Sequence, residues 1–220
     1  GYGRSSPDAQ RPGYDFVVQA ESGLMSITGP VDGPPSKVGV ATVDLATGLN
    51  AAIAILAALH QRTRTGEGQH IELSLFEVQV QALANIASSV LFTGEEARRY
   101  GNAHPTIVPY QSFDAADGMF ALACASDHLW ERLCTLLDRP QWIDDPRCAT
   151  NSARVLHRDW LIPALAACFA VDTVAGWLTR FETACIPAAP VGLSEACPGT
   201  SRCPRRPSSH GPRPRARDRH

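Results

Sequence analysis

The stretch of residues 45–60 limits the possible folds more than any other part of this 220-residue chain. Its sequence, LATGLNAAIAILAALH, is apolar on nearly every face of a helix, and its alanines allow another backbone to approach closely. A helix of this kind is expected to be buried. The longest uninterrupted apolar run, residues 51–59, is well below the roughly 20 residues that cross a bilayer, and no leader opens the chain. We therefore expect a soluble, cytoplasmic protein.

Turn residues divide the chain before residue 194 into two parts with different patterns. In the first part, residues 38–43 are predicted to be extended, residues 70–75 alternate as a strand does, and residues 77–92 form a second helix. In the second part, two short strands joined by an Asp-Ala-Ala-Asp-Gly turn precede three helices with Asp or Thr as N-caps. The strands are predicted at residues 111–113 and 119–123 and the helices at residues 127–137, 159–170 and 173–184. The fold class is therefore α/β, with a small α+β domain at residues 101–193.

Residues 194–220 differ in composition from everything before them. They hold seven arginines and five prolines against two acidic residues, a net charge of +5, whereas the whole chain carries −2. With almost no aliphatic residues, this tail cannot bury enough surface to offset the entropy of ordering, so we expect it to be disordered. It has no aromatic residue for base stacking, so nucleic acid is not expected as a partner. A shifted reading frame would also give such an arginine-rich and proline-rich sequence.

The sequence lacks the usual signatures of cofactor and metal chemistry. There is no dinucleotide-binding glycine motif, phosphate-binding loop, serine elbow or zinc-protease motif. Histidine, cysteine and acidic residues do not share a polar helix face at metal-ligand spacing. The seven cysteines form no CxxC pair and lie mostly in apolar helical patterns, which favours reduced thiols over disulfides. We expect no metal and no permanently bound cofactor.

Asp44 is the strongest candidate for a reactive residue. It follows an extended apolar segment and immediately precedes residues 45–60, so its carboxylate is expected near unpaired backbone N–H groups and the positive end of a helix dipole. On spacing alone, an ordinary N-cap is the simpler interpretation. A glycine-rich loop at residues 29–35 and a basic turn at residues 62–69 favour an anionic ligand close to this helix start.

Several motifs in fixed order resemble the class III coenzyme A transferases, the CaiB/BaiF type, over about residues 1–193. The group includes formyl-CoA, carnitine and succinyl-CoA-dependent dicarboxylate transferases, and the α-methylacyl-CoA racemases share its fold. The residues at 104–113 look most like the branch that transfers CoA to glutarate or hydroxymethylglutarate. The motifs are GYD at 13–15, SGLMSITG at 22–29, DGPPSKVGVATVDLATGL at 32–49, RTRTGEGQHIELSL at 62–75, GNAHPTIVPYQSF at 101–113 and TNSARVLHRDWLIP at 150–163.

The resemblance implies an enzyme whose nucleophile is Asp44. Its carboxylate would form first an acyl anhydride and then a thioester with CoA before the acceptor acid takes over the CoA. The substrates implied are an acyl-CoA and a carboxylic acid, most simply a dicarboxylic acid, with no metal. Residues 1–100 would be part of a Rossmann-like large domain, and the full-length protein would form an interlocked homodimer. The positions implied at the substrate and CoA site are Tyr14, Leu75, Gly101, Asn102 and His104.

Two alternatives remain open. The racemases of this fold use a histidine where the chain has Tyr14, and a phenol is a poor base near neutral pH, which argues against racemisation. His104 belongs to the loop motif and is a weaker candidate for direct catalysis. Relatives also have about a hundred residues before the matching region, so a non-catalytic remnant that keeps the nucleophile but lacks its pocket is the second alternative.

Overall fold

The computed structural model describes residues 1–192, and the predicted disordered tail lies outside these residues. The chain separates into two compact units, with the division between Thr106 and Ile107. The predicted boundary at residue 100 stays a prediction.

The regular secondary structure of the first unit, residues 1–106, consists of helices joined by loops. Residues 38–43, predicted to be extended, and residues 70–75, predicted to be a strand, contain no strand. A strand needs a neighbouring strand for its hydrogen bonds, and residues 1–106 offer none. The Rossmann-like sheet expected here is therefore not seen within the described chain. The helices are α1 (Asp15–Glu21), α2 (Leu24–Ile27), α3 (Thr42–Thr65), α4 (Leu75–Ala82) and α5 (Ala84–Thr93).

Helix α3 is longer and more exposed than the sequence predicts. It begins three residues earlier than predicted and ends at Gly66, whose φ of 78° is the left-handed conformation that closes many helices. Only Val43 of this helix is buried, and Leu49 and Leu56 are each 67% exposed. Residues 1–192 do not supply the partners that would bury this helix, so its burial stays a prediction for the whole protein. The apolar pattern is real, but the described chain covers little of it.

The second predicted helix of this unit is in fact two helices. α4 and α5 meet at Leu83 and are bent by 76° relative to each other. The bend follows from the backbone of Ala84, whose φ of 46° no continuous right-handed helix contains. Ser74 caps the start of α4, where its hydroxyl accepts a 3.0 Å hydrogen bond from the Glu77 N–H.

The second unit is built on a small antiparallel sheet, as the sequence predicts. Its strand order is β1-β2-β3, and Tyr110 and Asp114 of β1 lie opposite Ala123 and Met119 of β2. The predicted hairpin is confirmed, and so are the three helices predicted for this unit, which are α6, α8 and α9. The sequence analysis did not predict α7 and β3, because each of them is short. The elements are β1 (Tyr110–Asp114), β2 (Met119–Ala123), α6 (Asp127–Leu136), a 3-10 turn (Pro140–Trp142), α7 (Asn151–Leu156), α8 (Arg158–Phe169), α9 (Val174–Thr183) and β3 (Ala188–Pro190).

Side-chain caps hold the starts of α6, α7 and α9, whereas α8 has none, because its N-cap position is His157 and not the predicted Asp159. Thr173 caps α9, as predicted, and Thr150 caps the missed helix α7. The predicted cap at Asp127 is wrong by one position, since the hydroxyl of Ser126 accepts from the Leu129 N–H. Both hydroxyl and carboxylate residues cap well, so adjacent Ser and Asp cannot be ranked from sequence.

Packed aromatic rings form the core of the second unit. The ring of Phe169 lies 4.9 Å from Phe113, 5.2 Å from Phe120, 5.2 Å from Trp177 and 6.0 Å from Phe181, measured between ring centroids. Each contact is close to edge-on, the arrangement that aromatic quadrupoles favour. All five side chains are buried, so this unit has a hydrophobic core of its own.

The five described cysteines are free, as the sequence predicts. Burial raises the pKa of the Cys124 and Cys134 thiols to about 12 and that of Cys148 to about 11, so these thiols stay protonated at neutral pH. They pack as small apolar groups rather than as nucleophiles or metal ligands.

Arg154 is a fully buried charge in the second unit. Its Nε donates to the Val108 carbonyl at 2.7 Å, one Nη donates to the Cys148 carbonyl at 3.0 Å, and the other donates to Asp127 Oδ1 at 2.8 Å. Its guanidinium also lies 5.1 Å from the ring centre of Trp130. Because its three nitrogens donate to Val108, Cys148 and Asp127, Arg154 joins three separate segments of the chain.

Replacing Arg154 with methionine should lower the free energy of unfolding of the second unit by about 3 kcal/mol, because two buried carbonyls would lose their donor. All four tryptophans lie in this unit, so tryptophan fluorescence during urea unfolding measures the change. Arg132→Met is the control, since Arg132 is exposed and makes one 3.4 Å hydrogen bond; it should change stability by less than about 0.5 kcal/mol. Equal losses in the two variants would contradict a special role for Arg154.

By length and composition, α3 is apolar enough to cross a membrane. An 18-residue window of this helix has a mean hydropathy of 1.7, and 6% of that window is buried. The bent pairs α4 with α5 and α8 with α9 meet the same criterion only when each pair is taken as one segment. The count of uninterrupted apolar residues underestimated the length of the apolar segment in α3. Thr47, Gly48 and Asn50 interrupt the apolar run but lower the mean hydropathy only slightly.

The exposed face of α3 should bind hydrophobic dyes in the isolated chain. A glutamine at position 56 would interrupt this apolar face without adding a cation that could pair with the dye's sulfonate, so Leu56→Gln should lower the fluorescence of added anilinonaphthalene sulfonate. Leu156→Gln is the matched control, because Leu156 is 79% exposed and belongs to the second unit. If both substitutions lower the fluorescence equally, α3 is not the main dye-binding surface.

Candidate active site

Asp44 lies in the first turn of α3 and is exposed. The helix begins at Thr42, so Asp44 is its third residue and Ala41 is the N-cap, with no side-chain hydrogen bond. The N-cap interpretation of Asp44 is therefore wrong. Within residues 1–192 no hydrogen bond to its carboxylate is present, which leaves both oxygens available to a substrate.

The N–H groups at the start of α3 are already bonded, contrary to the expectation that they face a ligand. Asp15 of α1 supplies the acceptor that Ala41 cannot, and its Oδ1 receives two of these bonds. The others go to backbone carbonyls. The donors and acceptors are Thr42 to Val40 at 2.8 Å, Val43 to Asp15 at 2.8 Å, Asp44 to Asp15 at 3.4 Å and Leu45 to Ala41 at 3.1 Å. Any group that stabilises negative charge beside Asp44 must come from elsewhere.

Tyr14 is linked to Asp44 by Asp15, the residue that follows Tyr14 in the sequence. It is the N-cap residue of α1 and 78% exposed, and the next residue, Asp15, accepts from the Asp44 N–H. The first unit therefore brings these two predicted site residues to the same end of α3. Sequence reasoning missed Asp15 as a residue of this site, although the Gly-Tyr-Asp motif contains it.

Leu75 begins α4 and is half-buried. The sequence placed this leucine on a strand, and that placement is wrong, since Leu75 begins a helix and the residues before it form no strand. α4 packs against α3, so Leu75 lies on a helix next to the one that carries Asp44.

The loop that contains Gly101, Asn102 and His104 makes a tight turn at the end of the first unit. Gly101 has a φ of 60°, and a Cβ built on it would lie 3.6 Å from the Val31 side chain. The Nδ1 of His104 accepts a 3.1 Å hydrogen bond from the Thr106 N–H, so this nitrogen is used within the loop. The structure gives His104 a local structural contact, and its predicted role at the substrate site stays a prediction.

Val108, which follows this loop in the sequence, is held in the second unit by hydrogen bonds to both of its backbone polar groups. Asn151 Oδ1 accepts from the Val108 N–H at 3.1 Å, while Arg154 donates to the Val108 carbonyl. Both side chains come from α7, in the TNSAR part of a motif quoted above. The motif thus has a structural function that its sequence did not reveal.

The described residues contain no group of three or more His, Cys, Asp or Glu side chains that could hold a metal ion. A shallow apolar groove of about 980 Å³ lies in the second unit between α6 and α9, lined in part by Leu136, Ile143 and Ala184. None of the predicted site residues lines this groove, so its volume does not make it the candidate site.

Residues 1–199 match the family model described as CoA-transferase family III. The chain belongs to this family. It is 44% identical over 191 residues to succinyl-CoA:glutarate CoA-transferase of Mus musculus, covering 87% of the chain and 44% of that protein. It is 43% identical over 195 residues to succinate–glutarate CoA-transferase of Agrobacterium fabrum, covering 89% of the chain and 49% of that protein. The chain thus spans about half the length of these relatives.

Solved structures support the same assignment. A CaiB/BaiF family protein from Brucella suis matches with a TM-score of 0.73 and 42% identity, covering 88% of this chain and 51% of that one. The Rv3272 protein of Mycobacterium tuberculosis matches with a TM-score of 0.77 and 27% identity, covering 88% and 50%. The family predicted from the motifs is confirmed, and the mixture of helices with a small sheet matches the fold of this family.

Proposed function

We propose that this chain supplies the nucleophile of an enzyme that moves CoA from an acyl-CoA thioester to a carboxylic acid. The relatives named above are CoA-transferases, and the two whose names mention glutarate favour a dicarboxylic acid as acceptor. The observation that carries the proposal is Asp44, an exposed carboxylate without a hydrogen bond in the described chain, at the start of a helix whose own N–H groups are bonded to other acceptors.

The reaction proposed for Asp44 has four displacement steps. The carboxylate attacks the carbonyl carbon of the acyl-CoA, the carbon–sulfur bond breaks, and CoA leaves as a thiolate from a mixed anhydride. The thiolate then attacks the Asp44 carbonyl carbon and releases the donor acid, which leaves an aspartyl-CoA thioester. The acceptor carboxylate displaces CoA from this thioester to form a second anhydride. The thiolate finally attacks the acceptor's acyl carbon, which gives the new acyl-CoA and regenerates Asp44.

The chemistry of a carboxylate suits these steps. An ionised carboxylate attacks without losing a proton, so no general base beside Asp44 is required, and a thiolate is a good leaving group. Each step passes through an oxyanion, which needs hydrogen-bond donors. Because Asp15 occupies the amides of Val43 and Asp44, we assign this role to the loop that contains Gly101, Asn102 and His104.

The same proposal covers the other partners of the site. Tyr14 and Leu75 would contact the acyl-CoA, since Tyr14 precedes the residue that is bonded to the start of α3 and Leu75 begins a helix that packs against α3. The reaction as written uses no metal and no permanently bound cofactor. CoA thioesters and small acids are water-soluble, which supports a cytoplasmic enzyme, and the interlocked homodimer remains a prediction for the whole protein.

Asp44→Asn should abolish CoA transfer, because an amide is a far weaker nucleophile than a carboxylate. The measurement needs a protein of the relatives' length, so we define the completed protein as this chain joined to the sequence that the Agrobacterium relative has outside the matched region. With succinyl-CoA and glutarate, we expect a loss of at least about 10⁴-fold in kcat. Hydroxylamine added during turnover should modify Asp44 and no other residue.

Glu67→Gln is the matched control for this substitution. Glu67 is an exposed acidic residue just after the opposite end of α3, so neutralising it should leave transfer within about twofold. Circular dichroism should show the same helix content in both variants. Substantial transfer by Asp44→Asn would remove Asp44 from the mechanism.

The racemase alternative makes a different prediction for the completed protein. Racemisation requires a base that removes the proton next to the thioester, and the residue at the histidine position of the racemases is Tyr14. A 2-methylacyl-CoA incubated in deuterated water should therefore take up no deuterium at that carbon, as measured by mass spectrometry. Exchange that is present in the unmodified protein and lost in Tyr14→Phe would favour a racemase instead.

A further inference from the structure

Gln19 is a polar side chain that is 1% exposed in the first unit. It lies on α1, and both ends of its amide group are bonded. Its Nε2 donates to Asp15 Oδ2 at 2.6 Å, and its Oε1 accepts from the Val38 N–H at 2.9 Å. A buried amide with such contacts fixes the spacing between the groups that it joins. Gln19 therefore ties α1 to the segment that leads into α3.

Asp15, one helical turn before Gln19, uses its other oxygen for α3 itself. Its Oδ1 accepts from the Val43 N–H at 2.8 Å and from the Asp44 N–H at 3.4 Å. Together the two side chains hold the backbone at Val38 and at Val43, on both sides of the residues that lead to the nucleophile. The direction in which the Asp44 carboxylate leaves the helix is set by this backbone.

We propose that Gln19 is a positioning residue for the reaction, acting through Asp15 on the start of α3. This inference rests on the proposed function of Asp44 as the nucleophile. Gln19 is too deeply buried to touch a substrate, so its effect must pass through the hydrogen bonds described above. A displacement of about 1 Å at a reacting atom lowers rates by roughly 100-fold, which sets the size of the expected effect.

The pattern of donors and acceptors permits a sharp test. Asp15 offers only acceptors, so the Gln19 amide must turn its NH₂ group towards Asp15 and its oxygen towards Val38. In the Asp15→Asn variant, the NH₂ group of the new asparagine would face the NH₂ group of Gln19. In the Gln19→Glu variant, the new carboxylate would face the carboxylate of Asp15. In the double variant, the introduced asparagine donates to the introduced glutamate, and the bonds between the two side chains, to Val38 and to the start of α3 each have a donor and an acceptor again. Only the long 3.5 Å bond from Gln19 Nε2 to the Val40 carbonyl is not replaced. The total charge of the pair is also restored.

The experiment compares four forms of the completed protein: unmodified, Asp15→Asn, Gln19→Glu and the double variant. With succinyl-CoA and glutarate, each single variant should lose about 100-fold in kcat while its KM for succinyl-CoA changes by less than about threefold. The double variant should recover to within about tenfold of the unmodified kcat. Tyr2→Phe, which removes a hydrogen bond to Glu21 at the other end of α1, is the control and should stay within about twofold.

Amide hydrogen exchange at Val43 supplies a second measurement that does not depend on activity. Protection of this amide should fall in both single variants and return in the double variant. The proposal is overturned if the single variants keep the unmodified kcat, or if the double variant regains amide protection but not activity, since Asp15 would then act through its charge. If the unmodified completed protein transfers no CoA, the proposed function fails. The positioning role is then decided by exchange alone, and equal protection in all four forms would overturn it.

Discussion

Backbone N–H groups at the start of α3 require acceptors, and the way in which they are satisfied determines the arrangement of the first unit. Ala41, at the N-cap position, has no side-chain oxygen, so the acceptor comes from Asp15, 28 residues before Val43. The helix that carries Asp15 also carries Gln19, which holds the backbone at Val38. These bonds tie the start of α3 to α1, and the carboxylate of Asp44 accepts no hydrogen bond within residues 1–192.

The two units are stabilised in different ways. Sixteen of the twenty buried hydrophobic side chains in the described chain lie in the second unit, and four lie in the first. The first unit relies on polar contacts instead. Arg99 donates to two carbonyls of the glycine-rich loop and to one carbonyl of α2, and Glu21 accepts from Tyr2 and Arg11. The hydrogen bond from Tyr2 and the ion pair with Arg11 hold the pKa of Glu21 below its usual value. Such contacts set geometry but bury little apolar surface.

This difference explains how much of the structure the sequence could predict. The hairpin was predictable because strand alternation and an Asp-Gly turn are local signals, and its partner strand is a few residues away. Residues 70–75 alternate as a strand does, but a strand exists only where another strand pairs with it, and no local signal shows whether one does. The motifs identified the family and pointed to Asp44 by resemblance.

Hydrogen bonds between residues far apart in the sequence could not be predicted from the sequence. The contact between Asp15 and Val43 joins two helices, and each residue alone has an ordinary local interpretation. Arg154 is similar, because an arginine in a helix is usually exposed, and its burial depends on carbonyls at Val108 and Cys148 that become available only after folding. Site residues that act through other residues are therefore the ones that a pattern of single positions cannot show.

The exposed face of α3 and the chemistry proposed for Asp44 are physically linked. An anhydride between Asp44 and an acyl group is destroyed by water, so the proposed reaction needs a site from which water is excluded. Asp44 is exposed in the described chain, and so are Leu45 and Leu49, the next large apolar residues of the same helix. A protein surface that covered these leucines would also remove water from the helix start. The burial of α3 and the protection of its nucleophile would then be achieved by the same contact.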